Sequence, residues 1–382
     1  MQTTTGEDLS SESFDSTLIQ RLAALYVAAI PNVTNFILPF ILGAVMRSLK
    51  LSADVATYAI TAEVTGLAIT SLLVSYFRPL LRTRSSVALA ALLYLSGQLI
   101  SLNTTSFGPL IAARALAGIG DGVFLGMGFA ILGQMKDGAK LFSFLSFVVV
   151  GLVVIAFFVL PLLGPYAVFV VLAAAALVAL LSAFLLPDAR LKRELQFSYA
   201  LFTLGGFCLF IVALGASIAG NTLWLYFEGV GEHVGMPLEE ILDLGTYSLL
   251  PVLAVPWAAF QVHRRTMSTL PLMVLLILMA VFGYYYATTH EISMFVATIF
   301  VLNAAYVAVL VYSRILAVDY DDTGRLAAAV GSADVFGLVI GPLLATAMLN
   351  LRNGYTGLGI FAAVIFVICL VPSLIFAARR KQ

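Results

Sequence analysis

The chain has 382 residues, of which 62% are hydrophobic and only 10% are charged, and its formal net charge is zero. An average soluble domain carries about 25% charged residues, so this composition excludes a soluble globular protein and indicates an integral membrane protein. The neutral charge argues against nucleic acid as a partner.

Two cysteines are too few for a disulfide framework or a zinc site. The three histidines fall in predicted loops or at helix ends, where we expect them to be solvated rather than to bind metal. No Walker-type phosphate loop is present. We therefore expect no metal and no cofactor.

The chain begins with a polar, acidic stretch, residues 1–17, which is typical of a disordered cytoplasmic tail rather than a secretory signal. Apolar runs follow it. About 20 apolar residues cross a hydrocarbon core about 30 Å thick. Twelve such runs are predicted: 22–46, 54–77, 86–104, 109–134, 141–162, 164–187, 200–229, 244–262, 269–287, 293–316, 326–349 and 356–378.

The first two segments carry polar residues at membrane depth. Asn32 and Asn35 are three residues apart on segment one, and Glu63 lies about nine residues, or about 13 Å, into segment two. Asparagines in such a position form hydrogen bonds between helices or line a cavity, and we leave both interpretations open. A buried acid is commonly functional, and the alternative is a satisfied structural pair.

Segment four combines charge with small residues. Arg114 and Asp121 lie within about 20° of one helix face and about 10 Å apart along the axis. Charged groups at this depth face a bundle interior or a water-filled cavity. Gly118, Gly122 and Gly126 form an adjoining stripe, which predicts close helix packing.

A charged run after Pro187 marks the centre of the chain. We predict an N-terminal six-helix bundle over 18–187, a cytoplasmic linker over 188–199 and a C-terminal six-helix bundle over 200–382. An offset of 185 residues supports the division, because it takes Asp137, before segment five, to Asp322, before segment eleven. Segment eleven also carries an acid at depth, Asp334.

Positive charge orients the chain. Most of the 20 basic residues fall in alternate loops and near both ends. This bias predicts that both termini are cytoplasmic and that the number of spans is even. We expect a multi-pass protein of a bacterial inner membrane, present as a monomer in the lipid bilayer.

The chain resembles transporters of the major facilitator superfamily. Twelve segments in two halves match along its whole length, and Arg114, Ala117, Gly118 and Gly120 resemble the family's pattern in segment four. Asp121 departs from that pattern, since it stands where a small residue is usual. The acid- and glycine-containing loop of the family is missing between segments two and three. Asp322 and Arg325 are candidates for a gating loop instead, the alternative being a solvated, capped helix start.

The resemblance implies that segments one, four, seven and ten line a central cavity. It thereby assigns a substrate cavity to the following residues: Asn32, Asn35, Arg114, Asn221, Trp224, Glu228, Asn303 and Tyr306. Three acids, Asp121, Glu63 and Asp334, are candidates for proton coupling, with Asp121 first among them.

The predicted function is secondary active transport of a small organic molecule by alternating access, coupled to protons. The alternatives are a multidrug-type efflux antiporter, a non-transporting receptor or scaffold of the same fold, and a membrane enzyme. An enzyme is disfavoured because the acids are scattered singly at depth. Cationic or neutral amphiphiles suit the acids and the aromatic faces, whereas an organic anion bound by Arg114 is the rival substrate class.

Overall fold

The structure, a computed structural model, describes residues 16–77, 80–136, 138–163, 167–188, 199–321, 325–349 and 354–380. Most of the predicted tail and linker therefore lies outside the described residues. Within the described part the chain is mainly helical, with the following helices: α1 (Leu18–Phe36), α2 (Leu38–Leu49), α3 (Ala53–Phe77), α4 (Thr83–Asn103), α5 (Phe107–Gln134), α6 (Gly138–Leu163), α7 (Ala167–Leu185), α8 (Leu204–Leu225), α9 (Phe227–His233), α10 (Leu238–Leu249), α11 (Val255–Thr266), α12 (Leu270–Thr288), α13 (Ile292–Tyr320), α14 (Arg325–Leu349), α15 (Gly354–Ile368) and α16 (Leu370–Arg380).

The helices account for the predicted spans. In the described part, 10 helical stretches are long and apolar enough to cross a membrane, and the bent pair α1–α2 is an eleventh candidate. A shorter apolar stretch, Phe147–Leu160 within α6, coincides with the remaining predicted segment. The all-helical, multi-pass membrane architecture is therefore confirmed.

Four predicted segments are broken rather than continuous, and the twelfth is interrupted at Cys369, between α15 and α16. The first bends by 58° between α1 and α2, beside Pro39, which lies in the first turn of α2. Proline lacks the N–H donor and its ring crowds the preceding turn, so a helix does not continue through it undisturbed. The seventh segment ends at Leu225 and restarts as α9, and the eighth contains a 3-10 turn, Pro251–Ala254.

Close packing of α3 against α5 dominates the N-terminal half, which we define as α1–α7. A Cβ at Gly118 would collide with the backbone of Glu63, and one at Gly122 would approach the carbonyl oxygen of Leu67. Gly126 meets the Val74 side chain in the same way. The three glycines of the predicted stripe thus lie where the two helices touch.

The C-terminal half, α8–α16, contains a contact at the same 185-residue offset. Asn303 on α13 donates a hydrogen bond to Ser248 on α10 over 2.8 Å. Positions 303 and 248 correspond to Gly118 and Glu63, which touch in the first half. The halves meet where α3 contacts α14, α6 contacts α10 and α2 contacts α9. The contact pair supports the two-bundle division, whose boundaries stay a prediction.

Candidate functional site

Arg114 is the centre of a buried polar network in the N-terminal half. Its guanidinium lies 3.3 Å from Glu63 Oε2, and both side chains are almost completely buried. Arg114 Nη2 donates to Gln98 Oε1 over 2.9 Å, and the guanidinium carbon lies 5.3 Å from the centre of the Phe169 ring. Side chains from α3, α4 and α7 therefore hold this arginine on α5, and its positive charge is compensated inside the bundle.

Asp121 lies in the same interior but has no such partner. It is fully buried, and neither carboxyl oxygen has a hydrogen bond of normal geometry among the described residues, although the Thr34 hydroxyl lies close enough to interact with it. Beside it, the hydroxyls of Thr34 and Tyr94 bond to each other over 2.7 Å. Asp121 interacts electrostatically with both Glu63 and Arg114. Two acids and one arginine thus share a region from which water is excluded.

A second polar cluster lies in the C-terminal half, around Asp334 on α14. Its Oδ1 accepts hydrogen bonds from Tyr306 over 2.6 Å and from Ser217 over 3.1 Å. Asn221 Nδ2 donates to the Tyr306 hydroxyl over 3.1 Å and reaches Asp334 Oδ1 at 3.5 Å. Asp334 and Tyr306 are only half-buried, unlike the N-terminal acids. The structure therefore brings together three of the predicted residues, Asn221, Tyr306 and Asp334.

Trp224 joins the two halves one turn beyond Asn221. Its indole Nε1 donates to the carbonyl oxygen of Phe36 over 3.0 Å, at the break between α1 and α2. The indole stacks on Phe227, with ring centres 5.3 Å apart. Trp224 is half-buried, so part of its ring stays accessible.

Further contacts between the halves lie at the ends predicted to face outside. Arg47 on α2 forms an ion pair with Glu228 on α9, and Gly43 leaves room for that carboxylate. Thr57 on α3 bonds to the Tyr226 hydroxyl over 2.6 Å. Glu228 accordingly stands apart from the central clusters.

The remaining predicted residues make local bonds. Asn32 donates to the carbonyl of Ala28 in its own helix. Asn35 Oδ1 is buried without a hydrogen-bond partner in the described part of the chain. Both asparagines are half-buried. For the gating loop, Asp322 lies outside the described residues, and Arg325 begins α14 at the edge of a described range.

Sequence reasoning missed several members of these networks. Gln98 was not singled out, although an amide at membrane depth was a signal. Ser217 and Thr34 gave a weaker sequence signal, because small hydroxyl residues are common in membrane helices. Arg47, just after predicted segment one, gave no local signal for its partner, because Glu228 is 181 positions away.

No family model matches the sequence, and no curated protein matches it. The fold is nevertheless found among solved structures. A D-xylose-proton symporter aligns with a TM-score of 0.65 at 17% identity, over 91% of this chain and 96% of that one. The nucleoside transporter NupG gives 0.72 at 14% identity, over 96% and 100%.

A bacterial homologue of the human lysosomal transporter Spinster, in an inward-facing and occupied conformation, gives a TM-score of 0.73 at 13% identity, over 94% of this chain and 96% of that chain. Identities this low establish the fold alone. The chain is thus a multi-pass membrane protein with the fold of major facilitator-type transporters.

Proposed function

We propose that the chain is a secondary active transporter, not an enzyme, that moves a small organic molecule by alternating access and couples this movement to protons through Asp121. The observation that carries the coupling is the environment of this carboxyl, which is fully buried and has no ion pair and no hydrogen bond of normal geometry among the described residues. An isolated carboxylate is costly to bury, whereas a protonated carboxyl is tolerated far better.

Arg114 supplies the means of releasing the proton. In this conformation its guanidinium is held by Glu63 and Gln98. If the halves move so that water or the guanidinium reaches Asp121, the charged carboxylate is stabilised and the proton leaves. Glu63 takes part because it competes with Asp121 for the same cation. If Asp121 is exposed to one side of the membrane and then to the other, proton movement is coupled to the conformational cycle.

The test uses proteoliposomes that enclose a pH-sensitive dye. Sugars, nucleosides, organic amines and organic anions are added in turn, and a transported solute reveals itself by a proton flux. We expect Asp121→Asn to abolish this flux and accumulation driven by a pH gradient, while exchange of the labelled solute across the membrane continues.

Asp243→Asn is the matched control, because Asp243 is an exposed carboxylate on α10. It should transport like the original chain. Unchanged gradient-driven accumulation by a folded Asp121→Asn variant would eliminate Asp121 as the coupling group. Absence of flux and exchange with every solute class would instead favour a receptor or scaffold.

A further inference from the structure

The two polar clusters differ in how their charge is compensated. In the N-terminal half the acids share Arg114, and the charged side chains of that cluster, Glu63, Arg114 and Asp121, are buried. In the C-terminal half the donors to Asp334 are neutral groups. No basic side chain of the described residues forms an ion pair with Asp334. Within the described part of the chain, the carboxylate therefore has no ion-pair partner.

Hydrogen bonds fix one oxygen of this carboxylate and leave the other available. Ser217, Tyr306 and Asn221 all approach Oδ1. Oδ2 receives no hydrogen bond from the described residues and is not among their fully buried, unpartnered atoms. Since Asp334 is half-buried, this second oxygen is an acceptor that the hydrogen bonds to Oδ1 leave unused.

Glycines allow the close packing that forms this arrangement. A Cβ at Gly220 would collide with the Tyr306 ring, and one at Gly337 would collide with Ser217. The Tyr306 ring therefore lies directly against α8, and α14 approaches α8 closely enough for Ser217 to reach Asp334. A carboxylate that is already held in place by hydrogen-bond donors loses less conformational entropy when a ligand binds to it.

We propose that Asp334 is the subsite for a protonated amine of the transported molecule, with the half-buried Trp224 receiving its apolar part. This inference rests on the proposed transport function and names its substrate class. An ammonium group at Oδ2 would form a charge-assisted hydrogen bond, which is stronger than a bond between neutral groups. Trp224 is three residues from Asn221 on α8, about 4.5 Å further along the helix, and an aromatic face attracts a neighbouring cation.

Arg114 is not available to bind an organic anion, the rival substrate class, in this conformation. The guanidinium is fully buried and is occupied by Glu63, Gln98 and Phe169. The basic side chain near the proposed subsite is Arg314, which is exposed and lies beside Gly331, one turn before Asp334 on α14. Its charge opposes a bound cation without neutralising Asp334 through an ion pair.

Binding to the purified full-length chain in detergent tests the proposal without a proton gradient, so its result is independent of the flux test on Asp121. Three probes share one shape and differ in charge: 2-(1-naphthyl)ethylamine, the corresponding alcohol and 1-naphthylacetate. We expect the amine to bind at least about tenfold more tightly than the alcohol, as a hydrogen bond to a charged group requires. The anion should bind most weakly.

Asp334→Asn should weaken amine binding by about tenfold to a hundredfold and leave alcohol binding unchanged. Asp243→Asn is the control and should change neither. Arg314→Gln should strengthen amine binding severalfold with no effect on the alcohol, and it keeps the test decisive if Asp334→Asn does not fold.

Equal affinity for amine and alcohol, preferred binding of the anion, or an amine affinity that is insensitive to both variants would overturn the subsite. Loss of amine preference together with intact proton-coupled transport of another solute would refute this inference alone. Intact amine binding with no proton coupling would refute the proposed function alone.

Discussion

Arg114 and Glu63 are the most completely buried ion pair between described residues, and both lie at membrane depth. Removing one partner leaves an unpaired charge, which typically costs about 3–5 kcal/mol of stability. We expect Arg114→Ala to lower the free energy of unfolding by about that amount. Adding Glu63→Gln should restore part of the loss, because the remaining side chain is then neutral. Thermal unfolding in detergent measures both.

The matched control is Arg265→Ala, since Arg265 is exposed at the end of α11. Its effect should stay within about 0.5 kcal/mol, as for most surface substitutions. If Arg114→Ala and the double variant were equally destabilised, the loss would reflect packing rather than an orphaned carboxylate. That result would contradict the charge-sharing arrangement proposed for Asp121.

Burial of single residues was only partly predictable. The depths of Glu63 and Arg114 follow from counting along apolar segments, but their pairing does not, since they are 51 positions apart and on different helices. The expectation that His263 is solvated was wrong. Its Nε2 lies 2.8 Å from Asp319 Oδ2, and the side chain is largely buried. That partner lies on α13, so tertiary packing rather than local sequence decides the environment.

At the scale of elements, the contact between α3 and α5 depends on Gly118. A methyl group there would meet the Glu63 backbone, which cannot rotate away as a side chain does. Overpacking of a close contact typically costs about 1–3 kcal/mol. We expect Gly118→Ala to lower the unfolding temperature and to disturb the Arg114–Glu63 pair, because the same backbone carries Glu63.

Gly151 on α6 provides the matched control, because a Cβ at that position meets nothing within 4 Å. Gly151→Ala should be neutral or stabilising by up to about 1 kcal/mol, since alanine is the better helix former. Similar unfolding temperatures for the two alanine variants would show that α3 and α5 are less tightly packed than described.

Helix positions were more predictable than helix breaks. Hydrophobic length alone located the spans, because every crossing needs a continuous apolar run. The break after α1 was missed even though prolines were present, since Pro31 lies inside α1 and Pro39 at the bend. A proline permits a kink, and the neighbouring helices decide whether one forms. The break at Tyr226 has no proline beside it in the sequence. The Tyr226 hydroxyl forms a hydrogen bond with Thr57 of the other half.

At the scale of the whole molecule, we expect closure of the two halves on the predicted outer side to depend on pH. Glu228 lies on α9, beyond the end of the spanning helix α8, and pairs with Arg47. Burial raises the pKa of the Glu228 carboxyl to about 7, Arg47 opposes the rise, and the nearby Glu232 adds to it. Tyr355 lines the same small pocket.

We expect acidification to favour the conformation in which the outer side is closed over the one in which it is open. When the outer side opens, Glu228 becomes hydrated, and an exposed glutamate has a pKa of about 4.3. The closed form therefore binds the proton more tightly, and acidification stabilises it despite weakening the ion pair with Arg47. This stabilisation is fully present below about pH 4.3 and is lost as the pH rises through about 7, by up to about 1.4 kcal/mol per pH unit.

Accessibility of a cysteine on the outer side measures this equilibrium. Met46 is half-buried in the pocket beside Arg47, so Met46→Cys should react more slowly with a polar thiol reagent at pH 6 than at pH 8. Glu239→Cys, at an exposed position on α10, corrects for the intrinsic pH dependence of the thiol. After that correction, Glu228→Gln should remove the remaining difference, because an amide does not titrate. Faster corrected labelling at pH 6 would show that the lost ion pair outweighs the cost of burying the charge, and that acid opens the outer side instead.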